Sequence, residues 1–250
     1  LGDWEGRAAK EALLRARSDF VAMLTHDIKN PLGAVSGYVS LLREEDPPPA
    51  EAREILARIE AANQTALLLA TNFLDVSTIE ASGVTISARP TDVGDLLRRI
   101  LSEQRSQAET KGVDLALDAR LDLPTLQADP GLLGRIFTNL IDNAIKFTPR
   151  GGAVRASARA DGEGHLEVVV EDTGAGIPPD AMGRIFQRYS RASSRSDSTG
   201  LGLYIVRTFT EAHGGTVFAE NRDDRLGARV GVRLPVRRAA LAADSGPKGP

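Results

Sequence analysis

Phe20-Val21-Ala22-Met23-Leu24-Thr25-His26-Asp27-Ile28-Lys29-Asn30-Pro31-Leu32 decides how the first third of the chain is read. Val21, Leu24, Ile28 and Pro31 fall three and four residues apart, and Val35, Tyr38 and Leu42 continue the rhythm. That is an a/d heptad stripe, one apolar seam along a helix. Working outward, residues 5–45 and 50–80 read as two long helices joined by the turn Glu45-Asp46-Pro47-Pro48-Pro49. The second helix has its own seam in Ile55, Ile59, Ala62, Ala66, Leu69, Phe73 and Val76. One hairpin cannot bury two such stripes, so two copies are expected to pair as a four-helix bundle, a homodimer. His26 falls at heptad position f and points to solvent, and Asn30, four residues on, shares that face. Pro31 removes one N–H and crowds the carbonyl of residue 27, at a cost of about 3 kcal/mol in a helix interior. A bend beside His26 that admits a second domain would offset it.

Composition narrows the rest. The 250 residues are 42% hydrophobic and 26% charged, ordinary for globular protein, and fit one large or two small domains. Lys and Arg number 31 against 34 Asp and Glu, a net charge of −3, so no overall basic field invites nucleic acid. With no cysteine, disulfides, thiolate metal sites, iron–sulfur clusters and cysteine nucleophiles are excluded, and three scattered histidines make a poor metal site. No apolar run approaches the ~18–20 residues of a membrane span, and no signal peptide is visible. This portion is therefore expected to be cytoplasmic and to make no membrane contact. Leu1 is not an initiator methionine, and the chain is read as a fragment or a processed chain, with room for a sensor or membrane part upstream.

Past Ser82-Gly83 the texture changes. Strands are expected at Val84–Ala88, Val113–Leu117, Thr125–Ala128, Ala153–Ala160, Leu166–Glu171, Thr216–Glu220 and Ala228–Pro235. Helices are expected at Asp92–Lys111, from Asp129-Pro130 (an N-cap followed by Pro at N1) to Phe147, at Pro179–Tyr189 and at Leu201–His213. The domains are then residues 1–83, a helical hairpin, and 84–237, an α/β domain, with a disordered tail at 238–250.

Three spaced signals lie in the second domain. Asn139, Asn143 and Lys146 stand at i, i+4 and i+7 of one helix, two amides and an ammonium on one face. Amide oxygens suit Mg²⁺ and Lys suits phosphate; the same residues also suit an ordinary exposed stripe. Asp172-Thr173-Gly174-Ala175-Gly176-Ile177-Pro178 ends a strand with a carboxylate and two glycines that allow close backbone approach, a pattern equally fit for a tight turn. Ser198-Thr199-Gly200-Leu201-Gly202-Leu203 opens a helix whose free N–H groups form an anion site, although glycine also serves there as a hinge. No Walker G-x-x-x-x-G-K-[ST] loop occurs.

In order, these motifs resemble the catalytic core of sensor histidine kinases over residues 20–235. The resemblance implies a fold: an antiparallel helical hairpin forming a dimeric four-helix bundle, then a Bergerat-type ATP-binding α/β sandwich with a mixed sheet and helices on one face. It implies that His26 accepts the γ-phosphoryl of ATP, that Asp27, where many relatives have Glu, is general base, and that Asn30 positions a water for phosphatase action. ATP with Mg²⁺ is expected between the Asn139–Lys146 helix and a lid at Ala192–Asp197, with Asn143 on the metal. Asp172 then accepts from the adenine amino group, beside Gly174, Gly176 and Ile177, and Phe147, where many relatives have Tyr, contacts the adenine or ribose. Thr199, Gly200, Leu201, Gly202 and Leu203 frame the phosphates, with Ser198 where relatives often have Gly. Arg184-Ile-Phe186-Gln-Arg188-Tyr189-Ser-Arg191 resembles the family's Phe-containing box and assigns Arg191 to phosphate. The ATP domain is expected to swing on a linker at Thr78–Gly83 to reach His26, and the phosphoryl group to pass to an Asp of a separate response regulator. Two other functions stay open at this point: a different ATPase with the same pocket, and a non-catalytic dimeric scaffold.

Overall fold

The computed structural model describes residues 32–33, 35–40, 50–119, 123–190, 200–222 and 226–236. His26, Asp27, Asn30, Arg191 and Thr199 lie outside them, as do the turn at 45–49, the lid stretch and the tail from 237. The chain divides into two compact units, Leu1–Val84 and Thr85–Pro250.

In the first unit, residues 35–40 are helical (α1) and Ala50–Ser82 forms a 33-residue helix, α2. At 1.5 Å per residue α2 is about 50 Å long. Along it Leu56 and Val76 are buried, while Ile55 is 59% and Phe73 49% exposed, and Ile59, Val35 and Tyr38 are exposed with them. Of the expected seam, Ile55, Ile59 and Phe73 are exposed and Val76 is buried, while Leu56 and Asn63, which lie beside the seam, are buried. Among the described residues Asn63 is one of three buried polar residues of the helix, with Asn72 and Asp75; its Nδ2 donates to the Leu32 carbonyl at 2.6 Å and to Ser36 Oγ at 2.5 Å, tying the two helical segments. Thr78–Ser82, expected as linker, belong to α2. The helix ends where Gly83 turns left-handed (φ +72) and its N–H reaches Ile79 O at 3.0 Å.

The second unit is built on a five-stranded sheet. Its strands are Asp114–Ala119 (β2), Ala153–Ala160 (β4), His165–Asp172 (β5), Thr216–Asn221 (β6) and Ala228–Pro235 (β7), in the order β2-β4-β5-β7-β6. β2 and β4 are parallel and the other neighbours antiparallel, so the sheet is mixed, with β7 lying between β5 and β6. Arg89–Thr91 (β1) and Leu126–Ala128 (β3) pair separately. The expected strand at Val84–Ala88 is absent: pairing begins at Arg89, because Arg89, Pro90 and Thr91 are the residues β3 meets. Helices α3 (Val93–Lys111), α4 (Pro130–Phe147) and α6 (Gly202–Ala212) cover the sheet, and a short α5 spans Pro179–Met182. The helix expected to reach Tyr189 stops at Met182, and Tyr189 itself is left-handed (φ 60).

Alternation explains the layering. Ala156, Val170 and Val230 stand in register, as do Ala158, Val168 and Val232; β4 and β5 pack against α4, whose Leu133, Ile136, Phe137, Leu140 and Ile141 are buried. On the other face Arg159, Glu167 and Arg233 stand in register. Glu167 is nearly buried, yet receives Arg159 at 2.9 Å, Arg229 at 2.9 Å and Arg233 at 3.1 Å. Burial opposes its charge, but the arginine hydrogen bonds outweigh burial and hold the carboxyl below the usual range.

Candidate nucleotide site

Helix α4 is the floor of the site, and its start is fixed by Asp129. The Asp129 Oδ1 accepts from Gly131 N at 2.9 Å and Leu132 N at 3.1 Å, and Pro130 takes the first helical position. Oδ2 accepts from Ser87 N at 3.0 Å, and the Asp129 N–H donates to His213 Nε2 at 3.1 Å. His213 Nδ1 meets Phe209 O at 2.7 Å, so the ring proton lies on Nδ1. One residue thus joins the start of α4, the end of α6 and the strand-like segment before β1.

Asn139 is buried, and its Nδ2 donates to Arg135 O at 2.8 Å. A Cβ on Gly202 would sit 2.8 Å from Asn139 Oδ1 and 3.6 Å from Asn143 Nδ2, so the first turn of α6 presses on both amides. Glycine at 202 is needed for that approach. The start of α6 has no side-chain cap, whereas α3 and α4 each begin on an aspartate that accepts from their first turn. Among the described residues its leading N–H groups, at Gly202 and Leu203, have no backbone partner, and with the positive end of the helix dipole behind them they suit an anion. Leu201 is buried beneath them. Gly200 is left-handed (φ +68), and a Cβ there would lie 2.5 Å from Ser190 O, so Ser190 and Gly200 abut.

At the other end of α4, about 12 Å from Asn139 by helical rise, lies the glycine turn. Here a Cβ on Gly174 would be 2.6 Å from Phe147 O. Phe147 is 42% exposed, and Lys146 beside it is exposed. Lys111 Nζ donates to Ile145 O at 2.6 Å and Lys146 O at 2.5 Å, neutralising the carbonyl end of α4; burial, then Lys146, holds its ammonium below the usual lysine range. Asp172 is 6% exposed. Its Oδ1 accepts from Gly174 N at 2.7 Å and Ala228 N at 3.3 Å, and among the described residues no hydrogen bond falls on Oδ2. Burial pushes its carboxyl up, against the pull of those two N–H groups and of Arg222.

The structure thus brings together Asn139, Asn143, Gly200, Leu201, Gly202 and Leu203 at one end of α4, and Phe147, Asp172, Gly174, Gly176 and Ile177 at the other. Asn143 makes no hydrogen bond among the described residues, which leaves its amide oxygen for a cation. One hard oxygen suits Mg²⁺, which keeps waters and takes substrate phosphates. No group of three or more His, Cys, Asp or Glu able to hold a metal occurs among the described residues.

Two side chains were not legible as part of the site. Asn221 hydrogen-bonds both main-chain groups of Ile177; its only sequence signal was a polar residue closing a strand. Asp142, inside the Asn139–Lys146 motif, has a buried Oδ1 with no hydrogen-bond partner, and burial pushes its carboxyl up to about 6. Because the folded value lies above the unfolded 3.8, folding binds a proton between those pH values, and stability is lost as pH rises through about 6. Asp142→Asn is expected to stabilise the chain by about 1–3 kcal/mol above pH 7 and to be near neutral at pH 4. Denaturant titrations of parent and variant from pH 4 to 8 check this; a pH-independent difference would refute it.

Two sequence families match. Residues 128–238 match the histidine kinase-, DNA gyrase B- and HSP90-like ATPases, and residues 16–82 the His Kinase A (phospho-acceptor) domain. The histidine protein kinase DivJ of Caulobacter vibrioides is 36% identical over 248 residues, 96% of this chain. This chain belongs to the sensor histidine kinases. It carries their catalytic core: the sensor protein TorS of Escherichia coli is also 34% identical across 93% of the chain. The core spans 40% of DivJ and 25% of TorS. Among solved structures, full-length ShkA in complex with AMPPNP matches at a TM-score of 0.67 with 32% identity, over 88% of this chain and 46% of that one. Histidine kinase ThkA with the response regulator protein TrrA shares the fold at a TM-score of 0.60 and 20% identity, covering 94% of this chain and 66% of that one. The histidine kinase fold expected from the sequence, helical region and mixed sheet, is the one observed. Among the described residues no helix is long and apolar enough to cross a membrane.

Proposed function

We propose that this histidine kinase core phosphorylates itself on His26 from ATP and passes the phosphoryl group to an aspartate of a separate response regulator. The observation that carries the nucleotide half is Asp172: a nearly buried carboxylate with one oxygen committed to backbone and the other uncommitted. Such an oxygen is the partner of an exocyclic amino group, which adenine has. The AMPPNP bound by ShkA, a relative at 32% identity, supports the same ligand class. Adenine then lies at Asp172 and Phe147 and the triphosphate runs along α4 toward the start of α6, with Arg191 and Thr199 on the phosphates. Mg²⁺, held by Asn143, would neutralise developing charge on the phosphates. Residues 84–237 act as the ATP-binding domain and 1–83 as the dimerisation and phosphotransfer domain. Pairing of two hairpins would cover Val35, Tyr38, Ile55, Ile59 and Phe73.

In the first step a ring nitrogen of His26 forms a bond to the γ-phosphorus. The bond from that phosphorus to the β,γ-bridging oxygen breaks, ADP leaves, and Asp27 takes the imidazole proton. In the second, a carboxylate oxygen of the regulator replaces the His26 nitrogen on phosphorus. Asn30 orients a water that hydrolyses the regulator's acyl phosphate. Asn30→Ala is expected to lower regulator dephosphorylation at least about tenfold and autophosphorylation less than about twofold. Equal loss in the two assays would refute that division.

Incubating the chain with γ-labelled ATP and Mg²⁺ tests the function. Label that stays on the protein in base and is lost in acid is expected. Free phosphate without protein label would favour the plain ATPase, and bound ATP with neither would favour the scaffold.

A further inference from the structure

Ile177 ends the glycine turn, and its main-chain N–H and C=O find no backbone partner. Asn221, the last residue of β6, supplies both. Its Oδ1 accepts from Ile177 N at 2.7 Å and its Nδ2 donates to Ile177 O at 2.9 Å, the one amide orientation in which each atom is paired. The side chain imitates a residue of an adjacent strand. Gly176 lies against the same amide: it is left-handed (φ +78), and a Cβ there would stand 2.8 Å from Asn221 Oδ1.

The other end of the turn is held from the same place. Asn221 is the register partner of Ala228, and Ala228 N donates to Asp172 Oδ1. A Cβ on Gly227 would come within 2.0 Å of Asp172 O, so the backbone at that residue also bears on the strand end. The carboxylate and the exit of its turn therefore hang from one rung of the β6–β7 ladder, Asp172 through Ala228 and Ile177 through Asn221. Cutting the Asn221 contact frees the exit of the turn that carries Gly174, one of the two N–H donors to Asp172 Oδ1, and leaves the Ala228 donor in place.

We propose that Asn221 is a positioning residue for base recognition, fixing through Ile177 the turn that aims the Asp172 carboxylate at the amino group of the nucleotide. The inference rests on the assignment of Asp172 to adenine made above. Inosine triphosphate separates the two, because it carries a carbonyl oxygen where ATP carries the amino group. The parent chain is expected to bind ATP well ahead of inosine triphosphate. Asn221→Ala is expected to weaken ATP about tenfold, to weaken inosine triphosphate much less, and to leave the labelling rate at saturating ATP within about twofold. Asn221→Asp keeps the acceptor for Ile177 N–H and loses the donor, and its ATP-to-inosine ratio is expected to fall between parent and Ala.

Equilibrium binding of both nucleotides to the three proteins decides the matter. A parent that discriminates, with Ala and Asp variants that discriminate equally well, overturns the role of Asn221 alone. A parent that binds both nucleotides alike overturns the Asp172 assignment and this inference with it. Equal weakening of both nucleotides in the folded Asp variant would mean a general structural role and also overturns the proposal.

Discussion

A His26→Gln chain is expected to take up no label from γ-labelled ATP while binding ATP within about twofold of the parent. The two halves of that expectation come from different residues. The nucleotide-binding groups Asn139, Asn143, Asp172 and Gly202 all lie in the second unit, after Thr85, and none needs residue 26. Phosphoryl transfer, in contrast, needs a nitrogen lone pair that is not delocalised into a carbonyl. Imidazole has one near pH 7, and glutamine, whose amide nitrogen shares its lone pair with the carbonyl, has none. Glutamine is also a good helix former and suits the solvent-facing heptad position that the sequence pattern expects at residue 26, so the substitution is chosen to remove the nucleophile alone. Retention of label would move the acceptor elsewhere and refute the assignment of His26. Loss of both label and ATP binding would contradict the separation of nucleophile and nucleotide site.

Asp172→Asn is expected to lower ATP affinity about 10²–10³-fold and to improve binding of inosine triphosphate relative to ATP. The asparagine can keep its oxygen where Oδ1 is, accepting from Gly174 N and Ala228 N, so the turn is retained. Its NH₂ then stands in place of Oδ2 and meets the adenine amino group, donor against donor. The inosine carbonyl accepts from that NH₂, which is why preference shifts rather than merely falling. Acid acts in the same direction on the parent. Since burial raises the Asp172 carboxyl, its ionised form is depleted at a higher pH than for an ordinary aspartate, and ATP affinity is expected to fall as pH drops toward it. Competition binding with both nucleotides at two pH values measures the set. An Asn variant with unchanged ATP affinity would remove Asp172 from the base.

Local chemistry made some elements readable in advance and hid others. α4 was plain because Asp129 and Pro130 announce its start and its apolar residues keep helical spacing to Phe147. The glycine turn was readable because the apolar run Val168-Val169-Val170 ends on two acids, followed by two glycines. β1 was not: Arg89-Pro90-Thr91 has no alternation, and its pairing with Leu126–Ala128 is set by residues far along the chain. The heptad rule located the apolar seam of α2 but not which of its members would be buried and which exposed. Nothing in the spacing says that Asn63 will be buried and Ile55 exposed, since that depends on which side faces the segment at 32–40. In the site, the amide helix and both glycine motifs were legible as motifs. Asn221 was not, because its partner Ile177 lies 44 residues away and only sheet register brings them together.

The position of β7 has a consequence for how the protein is made. Residues 228–235 come last of the seven strands, yet they lie inside the sheet, between β5 and β6. Until they leave the ribosome β6 has no neighbour, and β5 presents an unpaired edge rich in valine. The ATP-binding fold therefore closes in one late event, in which the final strand enters between two older ones. A message cut short before Ala228 does not yield a kinase lacking its margin. It yields one lacking an inner strand, and with it the Ala228 N–H that donates to Asp172. Such a product would leave the β5 edge unpaired and Asp172 Oδ1 without its Ala228 partner, so the loss reaches the site from the far end of the chain.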